Sequence, residues 1–183
     1  MAQSAVVCNA GPLIALGKLN RLELLGALYP QVLVPQAVYH EVVTQGLRQG
    51  AVEAATVRQF WEQQQWPVVE VPAATLATYT PAVILGPGET AVLALALTYR
   101  QPWVLLDDEA AREEARRLRL PVRGTVGILA AAYQQRHLPF SQVEFLLQEI
   151  AARPDIWISA RLCEQVLAGL RDLERKRGKR AGK

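Results

Sequence analysis

The chain has 183 residues, 51% of them hydrophobic, and a formal net charge of +3. This length and composition suit one globular domain with a sizeable core, and nothing in the composition marks a second domain. The first residues lack a basic leader followed by an apolar segment, and no stretch of about eighteen uncharged apolar residues occurs. We therefore expect a cytoplasmic protein with no membrane partner.

The positive charge is concentrated near the C-terminal end. Residues 171–183 hold seven of the 20 Lys and Arg side chains but two of the 17 acidic ones, so the rest of the chain is slightly acidic. We interpret residues 175–183 as a disordered basic tail, whose clustered charges could also hold phosphates electrostatically.

Short valine-rich runs alternate with longer helical patterns along the chain. This alternation predicts strand and helix units around a parallel sheet. The predicted strands cover residues 5–9, 31–35, 67–71, 102–107 and 121–124. Apolar periodicity predicts helices over residues 20–30, 36–49, 51–65, 88–100, 108–119, 125–136, 140–153 and 159–177. The helix over residues 88–100 is apolar nearly all round, so we expect it to be buried on the sheet.

Polar side chains follow several of these strands. Parallel strands bring their carboxyl ends to one edge of a sheet, where ligands bind. Asn9, Asp107 with Asp108, and Thr125 are expected at that edge. Asp108 has the position of an N-cap for the next helix, and an acid at a strand end such as Asp107 can also be a simple turn residue.

Two further acids lie on predicted helices. Glu89 heads an apolar stripe, so it should face the sheet, although a glutamate in a first helical turn is also favoured by the helix dipole. Glu41 borders the apolar stripe of its own helix, where it could equally be an edge residue. If these acids converge with Asp107, each pair repels by on the order of 4 kcal/mol at about 4 Å, so the cluster needs protons or a cation. Oxygen ligands without nearby His or Cys favour Mg²⁺ or Mn²⁺ over Zn²⁺.

Four blocks of the sequence carry a family resemblance over about residues 4–138. The blocks are CNAGPLIALGKLNRLELL, VLVPQAVYHEVV, GPGETAVLALALTYRQPWVLLDDEAAREEARRL and VRGTVGIL. In order and spacing they resemble a PIN-domain protein of the little-characterised branch related to VapC-type toxins. The resemblance implies a three-layer α/β/α sandwich with a five-stranded parallel sheet of order 3-2-1-4-5. It also implies a Mg²⁺- or Mn²⁺-dependent ribonuclease site at Asn9, Glu41, Glu89, Asp107 and Asp108.

Within this resemblance, Glu41, Glu89 and Asp107 would hold the metal. Asn9 stands where most PIN nucleases keep an aspartate; its amide oxygen can bind a hard cation but brings no charge. Gly11, followed by a proline, fits a tight turn that brings the backbone close to a phosphate, or simply a turn. Thr125 is a weaker candidate for a phosphate contact.

Two functional hypotheses follow from these residues. The first is a metal-dependent ribonuclease acting on RNA, a candidate toxin with a small antitoxin protein as partner. The second is a PIN-like module that binds nucleic acid or protein without cutting, because Asn9 weakens the site. We expect a PIN-like domain over residues 1–140 and helices over residues 141–174 that pack on this domain or on a partner. The resemblance and the apolar character of those helices favour a homodimer.

Overall fold

The structure, a computed structural model, describes residues 5–100 and 102–181, the last four of these by their backbone alone. The described residues fall into two compact units, divided after Thr125. In the first unit, strands alternate with helices, as the sequence pattern predicts. Its strands are β1 (Val6–Cys8), β2 (Val34–Pro35), β3 (Val68–Val69), β4 (Trp103–Leu105) and β5 (Val122–Arg123). Its helices are α1 (Ala10–Lys18), α2 (Glu23–Leu28), α3 (Gln36–Tyr39), α4 (Gly46–Arg48), α5 (Val52–Gln64), α6 (Ala73–Ala77), α7 (Pro87–Ala96) and α8 (Glu109–Arg117).

All strand pairing in the described residues is parallel, but it does not form one continuous five-stranded sheet. The main sheet has three strands in the order β1-β4-β5, and β2 pairs with β3 separately. Leu33, just before β2, forms a single bridge to β1 through hydrogen bonds of 2.7 and 2.9 Å. Pro35 lacks a backbone N–H and leads directly into α3, so this pairing ends after one bridge. The predicted α/β fold with a parallel sheet is therefore confirmed, whereas the five-stranded sheet is not.

Helix α1 begins immediately after Asn9 and was not predicted. Gly11 and Pro12, which the sequence analysis assigned to a tight turn, lie instead in the first turn of this helix. A proline is tolerated there because the first helical N–H groups have no partner within the helix. Asn9, the first polar residue after β1, therefore lies where the strand ends and the helix begins.

The predicted helix over residues 36–49 forms, but not with uniform geometry. Helix α3 passes into a π-helical segment, His40–Gln45, before α4 begins. Glu41 lies in the first turn of this segment. Wider, π-helical turns within α-helices are rare. Those that do occur are frequently found at functional sites.

Helix α7 is the central buried helix of the first unit. It packs against β1, β2 and β4, and therefore covers strands of both sheets. Most of its residues are buried, including all of those from Ala91 to Ala96. This confirms the predicted burial of the apolar helix, and it places the first turn of α7, with Glu89, close to the strands.

The second unit consists of helices. They are α9 (Thr125–Gln134), whose first residue ends the preceding unit, α10 (Phe140–Ala152) and α11 (Ala160–Ala181), and α10 packs against α11. Helix α11 includes residues 175–181, which the sequence analysis expected to be disordered; residues 182 and 183 of that segment lie outside the described residues. In the described part of the chain, no helix is both long enough and apolar enough to span a membrane.

Candidate functional site

The carboxyl ends of β1 and β4 bring Asn9 and Asp107 to one edge of the main sheet. The two strands pair directly, and the Asn9 backbone N–H donates to the Leu105 carbonyl at 3.0 Å. Gly11 lies against Asp107, since a Cβ on Gly11 would be 3.1 Å from the Asp107 Cβ and 3.3 Å from its Oδ2. The close approach that this glycine permits is therefore to a carboxylate of the same chain.

Asp107 is held by the residue that begins α9. The Thr125 backbone N–H donates to Asp107 Oδ1 at 2.7 Å, and the Thr125 hydroxyl donates to Oδ2 at 2.6 Å. Burial raises the pKa of Asp107, while these two bonds and the Arg112 charge oppose the increase without cancelling it. Thr125 is completely buried and donates both of its hydrogens to Asp107, so it orients this carboxylate.

Arg112, which sequence reasoning missed, and Gly124 complete the surroundings of Asp107. Arg112 Nη1 donates to the Leu106 carbonyl at 3.2 Å. A Cβ on Gly124 would lie 2.6 Å from Arg112 Nη1 and 2.7 Å from Asp107 Oδ1, so only glycine fits without displacing them. The guanidinium and the carboxylate therefore approach each other across a position that has no side chain.

Asp108 serves the helix that follows it. Its exposed side chain accepts a hydrogen bond of 2.8 Å from the Ala111 N–H and so caps α8. Of the two interpretations of Asp108, the structure supports the helix cap.

The second part of the site surrounds Gly88, in the first turn of α7. A Cβ on Gly88 would lie 3.3 Å from Asn9 Oδ1 and 3.2 Å from Glu41 Oε2, so both oxygens border the same small volume. Asn9 is 4% exposed, and its Oδ1 is buried without a hydrogen-bond partner. An unsatisfied buried carbonyl costs about 1–3 kcal/mol, so a donor or cation that reached Asn9 Oδ1 would be favoured.

Glu89 adds a second carboxylate near Glu41. Its side chain folds back toward Gly86, the N-cap of α7, and occupies the space that a Cβ on that glycine would need. Partial burial of the Glu41 carboxylate, and then the negative charge of Glu89, raise the pKa of Glu41, although Glu41 as a residue is exposed. The charge of Glu89 therefore disfavours the ionised form of Glu41.

The arrangement differs from the three-carboxylate centre expected from the sequence. In the described part of the chain, no group of three or more His, Cys, Asp or Glu side chains is arranged to hold a metal ion. Instead, Asn9 Oδ1 and the Glu41 carboxylate border one small volume, with the charge of Glu89 felt at Glu41, and Asp107 with Thr125 and its neighbouring guanidinium forms a second group. The volume beside Gly88 fits a hard divalent cation, because an unpartnered amide oxygen and the Glu41 carboxylate both border it.

Glu114 on α8 is a buried acid that sequence reasoning also missed. It is 1% exposed and accepts hydrogen bonds from the Tyr79 hydroxyl at 3.0 Å and the Ala82 N–H at 3.2 Å. Arg117 forms two further bonds to it, of 2.7 and 2.8 Å, and is the largest cause that lowers the pKa of Glu114 to about 2. Glu114 is next to Ala115 and three residues after Ala111, and this spacing indicates that it lies on the buried face of α8.

The basic charge of α11 is partly neutralised within its own unit. Arg171 forms an ion pair of 2.6 Å with Glu144 of α10, and the Arg177 guanidinium lies over the Tyr133 ring at 4.9 Å from the centroid. The side chains of residues 178–183, which complete the predicted basic tail, lie outside the described part of the chain.

Comparison with known protein families gives one clear match. A family model described as a PIN domain matches residues 5–172, which is nearly the whole chain. A search among curated proteins found no match.

Proposed function

Because the chain belongs to the PIN-domain family, we propose that it is a divalent-metal-dependent ribonuclease that hydrolyses RNA phosphodiesters. Family membership implies a nuclease-like fold and, in general, dependence on a divalent metal. The observation that carries the proposal is the unpartnered Asn9 Oδ1, buried beside the carboxylate of Glu41 at the carboxyl edge of the strands.

Each residue has a role in the proposed reaction. Asn9, Glu41 and Glu89 would hold Mg²⁺ or Mn²⁺, with Asp107 contributing directly or through water. The bound ion would supply an activated water and stabilise the charge on the phosphate oxygens. In the hydrolysis, a water oxygen bonds to phosphorus as the bond to the leaving sugar oxygen breaks, and that oxygen takes up a proton. Asp107, which Thr125 orients, would take the proton that the attacking water loses.

A second candidate function is a PIN-like module that binds RNA or protein without cutting. Asn9 brings no charge to the site, and Asp107 already has Thr125 and Arg112 as partners. Both features reduce the attraction for a cation compared with a site of four free carboxylates. Metal binding without cleavage would favour this alternative.

The architecture and partners of this function are also proposals. We propose that the strands act as one sheet of order 3-2-1-4-5, which the bridge at Leu33 supports. We propose a toxin role with a small antitoxin, a cytoplasmic location, and a homodimer formed through the helices over residues 141–174. Phe145 on α10 and Leu162 on α11 are 61% and 37% exposed, respectively, which supports such a contact. A monomeric mass in light scattering at micromolar concentration would contradict the dimer.

The proposed function is tested by cleavage of a labelled single-stranded RNA. The parent protein should cut it in Mn²⁺ or Mg²⁺ and lose this activity in EDTA, and Asp107→Asn should lower the rate at least about a hundredfold. Glu113→Gln, an exposed change on α8, is the matched control and should cut like the parent. Cleavage that persists in EDTA or in Asp107→Asn would contradict the proposed site and would indicate a contaminating nuclease.

A further inference from the structure

The connection between α6 and α7 has few hydrogen bonds to fix its shape. For residues 80–85, the hydrogen bond from Ala82 N–H to Glu114 Oε1 is the single one formed in the described part of the chain. Ile84 in this connection is 99% exposed, so packing does not anchor it there. The Ala82 hydrogen bond therefore ties this connection to another helix.

Glu114 is well suited to hold this connection. It is almost completely buried, it accepts from Tyr79 and Ala82 at the start of the connection, and Arg117 keeps its charge balanced. Four donors on one carboxylate favour the ionised form, which binds N–H and O–H donors more strongly than a neutral acid does. These four hydrogen bonds, which we call the Glu114 clamp, therefore involve an ionised carboxylate over the ordinary pH range.

Glu114 joins α8 to the connection that leads into α7, the helix that carries Glu89. Helix α8 begins two residues after Asp107. Ala82 lies only a few residues before Pro87, the first residue of α7, whose ring restricts the backbone at this point. Gly88, next along α7, borders the volume shared by Asn9 Oδ1 and the Glu41 carboxylate. A shift of this first turn would widen that volume and move Glu89.

We propose that Glu114 is a positioning residue for the metal site: by holding Tyr79 and Ala82 to α8, it fixes where α7 begins and so where Glu89 lies relative to Asp107. This inference rests on the proposed function, in which Glu89 helps to hold the cation. Partners that orient metal ligands typically change metal affinity about 10- to 100-fold when they are removed. Glu114 acts through the chain rather than by touching the ligand, so we expect the lower end of this range.

The test uses the full chain with Mn²⁺ as the probe. Glu114→Gln should weaken Mn²⁺ binding in calorimetry by roughly tenfold and speed hydrogen exchange of the amides of residues 82–90. Tyr79→Phe, which removes one donor, should do the same to a smaller extent. Glu113→Gln on the same helix should change neither quantity. Val57→Ala, a buried change on α5, should lower the melting temperature without weakening Mn²⁺ binding.

The outcomes separate this inference from the proposed function. If Glu114→Gln lowers the melting temperature but leaves both Mn²⁺ affinity and exchange of residues 82–90 as in the parent, Glu114 is only a stabilising residue and the inference is overturned. If the parent itself binds no Mn²⁺, the proposed function fails, and exchange alone decides whether Glu114 holds the connection. Faster exchange in Glu114→Gln with a tenfold weaker Mn²⁺ affinity supports the positioning role.

Discussion

Replacing Asn9 by aspartate tests whether this position is a metal ligand that lacks a charge. The Asn9 Oδ1 and Glu41 Oε2 atoms lie within 3.3 Å of the same point, the Cβ position of Gly88. At a separation of roughly 5 Å and an effective dielectric constant near 20, a new carboxylate would repel Glu41 by about 3 kcal/mol. Without metal, Asn9→Asp should therefore melt about 6–12 °C below the parent.

A divalent ion should reverse this loss. With Mn²⁺ bound, the added carboxylate becomes a charged ligand, and Mn²⁺ affinity should rise by one to two orders of magnitude. Thermal unfolding and calorimetry, each in EDTA and in Mn²⁺, measure both effects. Asn20→Asp is the matched control, because it adds the same charge at an exposed position outside the site.

Two results would contradict a metal-ligand role for the Asn9 position. One is a melting temperature in EDTA equal to that of Asn20→Asp, because the new charge would then not face Glu41. The other is an Mn²⁺ affinity no higher than that of the parent, because the oxygen at this position would then not contact the ion.

Three further predictions concern other parts of the chain. Gly124→Ala should lower stability by about 1–3 kcal/mol in urea unfolding and reduce RNA cleavage, because its Cβ would collide with Arg112 and Asp107; unchanged stability would contradict the contact. The pKa of Glu114 is depressed, so its contribution to stability is fully present above the ordinary value of 4.5 and is lost as the pH falls toward about 2. The difference in melting temperature between the parent and Glu114→Gln should therefore shrink over that range, and a constant difference would be inconsistent with this pKa. Deleting residues 175–183, with their six basic side chains, should weaken RNA binding and flatten its salt dependence by up to about four units while leaving turnover at saturating RNA unchanged; an unaltered salt slope would exclude the role.

Local patterns in the sequence were sufficient to predict most of the elements of this fold. Valine-rich runs mark every strand, and the uninterrupted apolar run from Ala91 to Ala96 predicts a buried helix, which α7 confirms. Helix α1 was missed because Gly11 and Pro12 are typical of turns. Both residues are also tolerated in the first turn of a helix, which is where they lie. The predicted strands extend beyond the observed ones at one or both ends, as residues 102–107 do against Trp103–Leu105.

The candidate site was predictable only in part, because its contacts are long-range. The sequence indicated which polar residues reach the carboxyl edge, and the N-cap pattern identified the role of Asp108. It could not reveal that Thr125 donates both hydrogens to Asp107, which is eighteen residues earlier in the chain. Nor could it reveal that Glu114 binds the chain near Tyr79, 35 residues away, since no local pattern specifies that pairing.

The metal-dependent ribonuclease site is tested most directly by the rate of RNA cleavage as a function of Mn²⁺ concentration, measured on the parent beside Glu89→Gln. Half-maximal cleavage by the parent should occur at the Mn²⁺ concentration that calorimetry gives as the dissociation constant. Glu89→Gln should move both values upward together, because one carboxylate ligand is lost. Cleavage that does not depend on Mn²⁺, or that Glu89→Gln leaves unchanged, would contradict a metal-dependent ribonuclease site at this edge of the sheet.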